Sequence, residues 1–194
     1  MASVQVETTK RQRTRGPKRP WTARATAPGM NDQIVELANP GIHILLFSPR
    51  LVDLEERADY ARRFPDGKDL VDYVNECRMA AIGVRWPRAE YWLHFSTTMD
   101  HSVIRRASDH VRLGIEVVGG QLGVRAGDDL FRWSRRTPDD QLISLEEGFY
   151  EVTACMMPEQ DGPIRIYIHL ARCPARPELG YQHVPELFGE PPVL

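Results

Sequence analysis

The sequence predicts a mainly β fold, an antiparallel β-sandwich or partly open barrel with one or two short helices inserted early. After Pro87, successive segments alternate apolar and polar residues with a period of two, and short turns rich in Gly and Asp separate them. No repeated βαβ unit interrupts them. Each strand of that kind has one face needing cover, and packing sheet on sheet covers them all.

The first strand expected is "GIHILLF" (41–47), with Ile42, Ile44 and Leu46 on one side and His43, Leu45 and Phe47 on the other, which suits burial on both faces. It stops at Ser48-Pro49. "DLEERADYARRF" (53–64) places Leu54, Ala58, Ala61 and Phe64 near helical spacing, with Asp53 as N-cap and Glu56 three residues on. Asp66-Gly67 ends that helix. A second helix is expected over "KDLVDYVNECRMAAIGV" (68–84), whose Leu70, Val71, Val74, Cys77 and Ala81 fall near one stripe, with Gly83 as its exit.

The strands then follow in series. "EYWLHFS" (90–96) sets Tyr91, Leu93 and Phe95 against Trp92, His94 and Ser96. "VRLGIEVV" (111–118) has the cleanest alternation, and Gly119-Gly120 predicts a tight hairpin into "QLGVRA". "AGDD" (126–129) is a turn before "LFRWS" (130–134). "LISL" (142–145) leads through Glu146-Glu147-Gly148 into a strand with Tyr150, Val152, Ala154 and Met156 on its core face and Phe149, Glu151, Thr153 and Cys155 opposite. "PIRIYIHLA" (163–171) closes the sheet with Ile164, Ile166, Ile168 and Leu170.

At 194 residues and 22.2 kDa the chain fits one domain with appendages. Residues 1–28 hold Lys10, Arg11, Arg13, Arg15, Lys18, Arg19 and Arg24 against one acid, Glu7. The segment carries +6 and, since the whole chain is −2, the remainder carries −8. This arm is too poor in apolar residues to order itself, and its charge suits phosphate or an acidic surface. Residues 29–173 form the domain. Residues 174–194 read as a proline-rich extended tail, held down by Tyr181, Val184, Leu187 and Phe188. Three cysteines, an odd number without close pairing, argue against a disulfide framework and for a reducing cytoplasm. No secretory signal is expected, and no run approaches the roughly 20 apolar residues of a membrane span.

Chemistry is thinly represented. Cys155 with His169 would make a nucleophilic dyad if their strands were neighbours, although an inert, semi-buried cysteine explains the residue equally. The six histidines show no metal-ligand spacing, and "DHSVIRRASDH" (100–110) reads as a polar loop or short helix, so no metal is expected. No phosphate-cradling loop occurs, and no cofactor is expected. Asp128-Asp129 and Asp139-Asp140 are turn formers first and paired carboxylates second. Trp133 with Arg132, Arg135 and Arg136 has the composition of a protein contact.

The order of "LLFSPRL", "YVNECRMAAIGV", "YWLHF", "RLGIEVVGGQLGVRA" and above all "DDLFRWS...QLISLEEGFYEVTACMMP" resembles the small competence-protein J family of nuclease inhibitors over residues 41–171. That resemblance implies a compact, mostly β protein that blocks a nuclease or toxin without chemistry of its own. An inhibitor of a nuclease offers acidic groups to a basic cleft. From the charge of the body, Asp128, Asp129, Asp139, Asp140, Glu146 and Glu147 are the carboxylates to test, beside Trp133. Two further classes stay open: a nucleic-acid-associated or assembly protein using the basic arm, and a hydrolase-type enzyme using His169 and Cys155 or a carboxylate pair. A homo-oligomer through an exposed edge strand is also compatible.

Overall fold

The computed structural model describes residues 33–38, 41–52, 67–127, 137–157 and 162–187. The expected helix over 53–64, the strand over 130–134, the basic arm and Phe188 lie outside them. Among the described residues, two five-stranded sheets face each other and do not close into a barrel. The first contains β1 (Gln33–Ala38), β4 (Glu90–Ser96), β9 (Ile164–Cys173), β8 (Gly148–Met156) and β5 (Asp109–Val117), in that order across the sheet. The second runs β10 (Glu186–Leu187), β3 (Met79–Val84), β2 (His43–Phe47), β6 (Gln121–Ala126) and β7 (Leu142–Ser144). Two pairs depart from the antiparallel rule, β4 with β9 and β10 with β3.

Alternation explains the first sheet. Leu93, Phe95, Leu113, Ile115, Val152, Ala154, Ile166 and Ile168 have at most 1% of their surface exposed, and all come from the inward parity of their strands. Each of these side chains other than Ala154 contributes about 1.5–3 kcal/mol on leaving water. β9 lies between β4 and β8 in the interior of its sheet; it is not the closing strand. β1 was not anticipated; Val35 and Leu37 face the core, while Ile34, Glu36 and Ala38 point out.

Two expectations are corrected. The helix expected over 68–84 is a helix only as α1 (Gly67–Asn75). At its end the Cys77 N–H donates to the Val74 carbonyl and the Arg78 N–H to the Tyr73 carbonyl, with Cys77 at φ 58°, a Schellman stop. The following "MAAIGV" becomes β3, buried at every position. A run without polar residues carries no period, so helix and strand read alike there.

The second correction concerns Gly119-Gly120. Both glycines take positive φ, 76° and 71°, but the turn forms no hairpin. β5 pairs with β8, and β6 pairs with β2 and β7, so the chain crosses from one sheet to the other. Buried Ser48 fastens the crossing: its Oγ donates to the Val118 carbonyl at 2.7 Å and accepts from the Val118 N–H at 3.0 Å. Glu146-Glu147-Gly148 makes the reverse crossing, from β7 to β8.

The C-terminal segment packs back onto the domain. Asn75 holds Tyr181 from both sides, its Nδ2 donating to the Tyr181 carbonyl at 3.0 Å and its Oδ1 accepting from the Tyr181 N–H at 2.8 Å. Tyr181 and Val184 pack on the core, and Leu187 is fully buried.

Candidate interaction surface

Among the described residues β1 and β7 are edge strands of opposite sheets, and a side chain joins them: Gln33 Nε2 donates to the Leu142 carbonyl at 3.0 Å. That bond seats β1 against the 3-10 turn Asp139–Gln141 that precedes β7. Asp139 and Asp140 are exposed there, beside the strand carrying exposed Glu36 and Ile34, the latter 40% accessible. Exposed Ile34 and Glu36 thus lie on the strand, and exposed Asp139 and Asp140 on the turn, that this bond brings together. An apolar anchor within a charged rim is the usual anatomy of a protein contact. Sequence reasoning missed Gln33, Ile34 and Glu36; the short alternation around Val35 and Leu37 was the available signal.

Glu146 and Glu147 lie at the other end of β7, in the crossing turn. Both are exposed, and both are tied down within the molecule. Arg172 pairs with the Glu146 carboxylate and donates to the Glu147 carbonyl, while Glu147 Oε1 accepts from the Gly119 N–H at 2.8 Å. Tyr150 Oη donates to the Glu146 carbonyl at 2.9 Å. The Glu146 side chain is 69% exposed, so its ion pair adds little to stability, about 0–1 kcal/mol. Asp128, Asp129 and Trp133 lie outside the described residues, as do Lys10, Arg11, Arg13, Arg15, Lys18, Arg19 and Arg24.

The Cys155 and His169 pair takes a definite form. β8 and β9 are neighbours, but the register sets Thr153 opposite His169 and Cys155 opposite Tyr167, so thiol and imidazole are diagonal. Burial pushes the Cys155 thiol up, away from the thiolate a nucleophile needs. Burial also lowers the His169 pKa, opposed by a hydrogen bond to the Thr97 backbone. This arrangement favours a protonated thiol beside a neutral imidazole. Among the described residues, no group of three or more His, Cys, Asp or Glu side chains has the geometry to hold a metal ion.

"DHSVIRRASDH" resolves into the short helix α2 (His101–Arg106), capped by Asp100, whose Oδ1 accepts from the Ser102 N–H at 2.8 Å. That hydrogen-bonding by Ser102 holds the Asp100 carboxyl below its ordinary range. Val103 is buried against the outer face of the first sheet.

No protein-family model matches the chain, and no curated protein sequence does. Two solved structures are weakly similar. One is described as crocagin biosynthetic gene J; it is 12% identical with a TM-score of 0.43, over 72% of this chain and 98% of that one. The other is ComJ from Bacillus subtilis, described as an inhibitor of the DNA-degrading activity of NucA. It is 11% identical with a TM-score of 0.44, over 77% of this chain and 100% of that one.

Proposed function

We propose that this protein is a non-catalytic protein-binding module, an inhibitor or immunity-like protein directed against a nuclease or toxin. The observation that carries the reading is the β1–β7 rim, where the Gln33 bond to Leu142 joins the strand bearing exposed Ile34 and Glu36 to the turn bearing exposed Asp139 and Asp140. A rim fixed before contact loses little freedom on binding, and its negative potential steers a basic partner towards it. A nuclease is the class of partner that the resemblance of residues 41–171 implies, and nucleases present basic clefts. Asp128, Asp129 and Trp133 precede the same turn in sequence and belong to the proposed contact, with Glu146 and Glu147 at its far end. The three cysteines without disulfide partners suit a reducing cytoplasm.

The test is capture from a lysate of the native host with the full chain, followed by a DNA-degradation assay on the captured protein. The expected result is a basic nuclease whose activity the full chain suppresses, with Glu36→Lys/Asp140→Lys weakening suppression by at least about tenfold. The reading fails if the double variant suppresses equally well. It fails in favour of the basic arm if capture requires residues 1–28 and disappears at about 0.3 M salt.

A further inference from the structure

The outer face of the first sheet holds a cavity that the acidic rim does not use. α2 lies over β4, β8 and β9, and the space beneath it is about 260 Å³. Met99, Val103 and Ile104 form one wall, and Cys155, Tyr167 and His169 form the other. An apolar cavity of about 150 Å³ accepts benzene, and pockets for drug-sized ligands begin at about 300 Å³. The space therefore suits one ring, or two fused rings.

The walls also define the chemistry of what would enter. His94 stacks on Tyr167 with ring centroids 4.6 Å apart and planes 14° from parallel, which makes one side flat and polarisable. The carboxylate at the margin, Asp100, is engaged in capping α2, and Ser96 Oγ is engaged with the Thr98 backbone. The Cys155 thiol stays protonated, so the interior offers no charge to an ion. His169 Nδ1, a buried atom of that wall, has no hydrogen-bond partner.

We infer that this cavity is a binding site for a neutral aromatic molecule carrying one hydrogen-bond donor, of the phenol or indole class, with the donor directed to His169 and the ring on Tyr167. Binding here is independent of the acidic rim, so the two readings succeed or fail separately.

The experiment titrates the full chain with p-cresol, toluene and 4-hydroxybenzoate while following the methyl resonances of Val103, Ile104 and Met99. Saturable shifts with p-cresol below about 1 mM are expected, with toluene about fivefold weaker for want of the hydrogen bond and no saturation by 4-hydroxybenzoate. His169→Leu should bring p-cresol down to the toluene value, and either Ile104→Trp or Met99→Trp, filling the space, should abolish both. No saturation by p-cresol up to about 10 mM overturns the site. Undiminished binding by a filled variant that melts like the wild type also overturns it. Equal affinity for toluene and p-cresol overturns the assignment of the donor to His169.

Discussion

Cys77 Sγ lies against the outward side of Gly114, so a methyl group at Gly114 would collide with it. The two residues exchange their customary places. A Schellman stop normally has glycine at the left-handed position, and here a cysteine holds it at φ 58°. A strand interior normally carries a side chain, and β5 has glycine there. The Cys77 carbonyl also accepts from the Glu116 N–H at 2.7 Å, so the helix stop is stitched to the edge of β5.

Gly114→Ala should therefore destabilise the fold by about 1–3 kcal/mol through overpacking. In a Cys77→Gly background the same change should cost under about 0.5 kcal/mol, because the neighbour that remains, Pro177, sits at an ordinary 3.4 Å. Urea unfolding of the two single variants and the double variant measures the coupling. Costs that simply add would show that Sγ is not the obstacle.

Alternation made legible the strands of this fold in which one face meets water. β4, β5, β8 and β9 announce themselves because Glu90, His94, Arg112, Glu151 and Arg165 interrupt the apolar series. β3 does not, since both of its faces are covered and "MAAIGV" shows no period. Turn chemistry identified Gly119-Gly120 as a tight turn, yet local φ values are silent on whether the next strand pairs at home or crosses to the facing sheet. Ser48, seventy residues away from Val118, settles that. The acidic rim was half legible for the same reason: Asp139 and Asp140 stand out as charges, whereas the place of their turn beside β1 depends on Gln33 reaching Leu142 across 109 residues.

Asn75 governs whether the C-terminal segment stays docked, because its amide satisfies both backbone groups of Tyr181. Asn75→Ala should cost about 1–3 kcal/mol by leaving those groups unmet. Amide exchange should quicken over residues 178–187 and leave β8 and β9 unchanged. Uniform loss of protection across both sheets would show that the clamp is part of the global fold.

The cysteines should separate by reactivity. Cys77 and Cys155 are buried and their thiols are raised by burial, whereas Cys173 is half-buried near the end of β9. Iodoacetamide at pH 7.5 should label Cys173 alone in the native protein, and all three in urea. Native labelling of Cys155 at a rate comparable to a free thiol would restore the nucleophile reading.

His43 and His169 set the expected acid response. Burial lowers both pKa values below the ordinary 6.5, against the opposing pull of Glu186 on His43 and of the Thr97 bond and Glu151 on His169. Between pH 6.5 and each lowered value the unfolded chain binds a proton that the folded chain refuses. Stability is thus fully present above pH 6.5 and declines as pH falls through that window, by up to about 1.4 kcal/mol per pH unit for each proton. Melting temperatures from pH 7.5 to 5 should fall in the wild type and fall less steeply in His43→Gln/His169→Gln. An unchanged slope would assign the acid sensitivity to other groups.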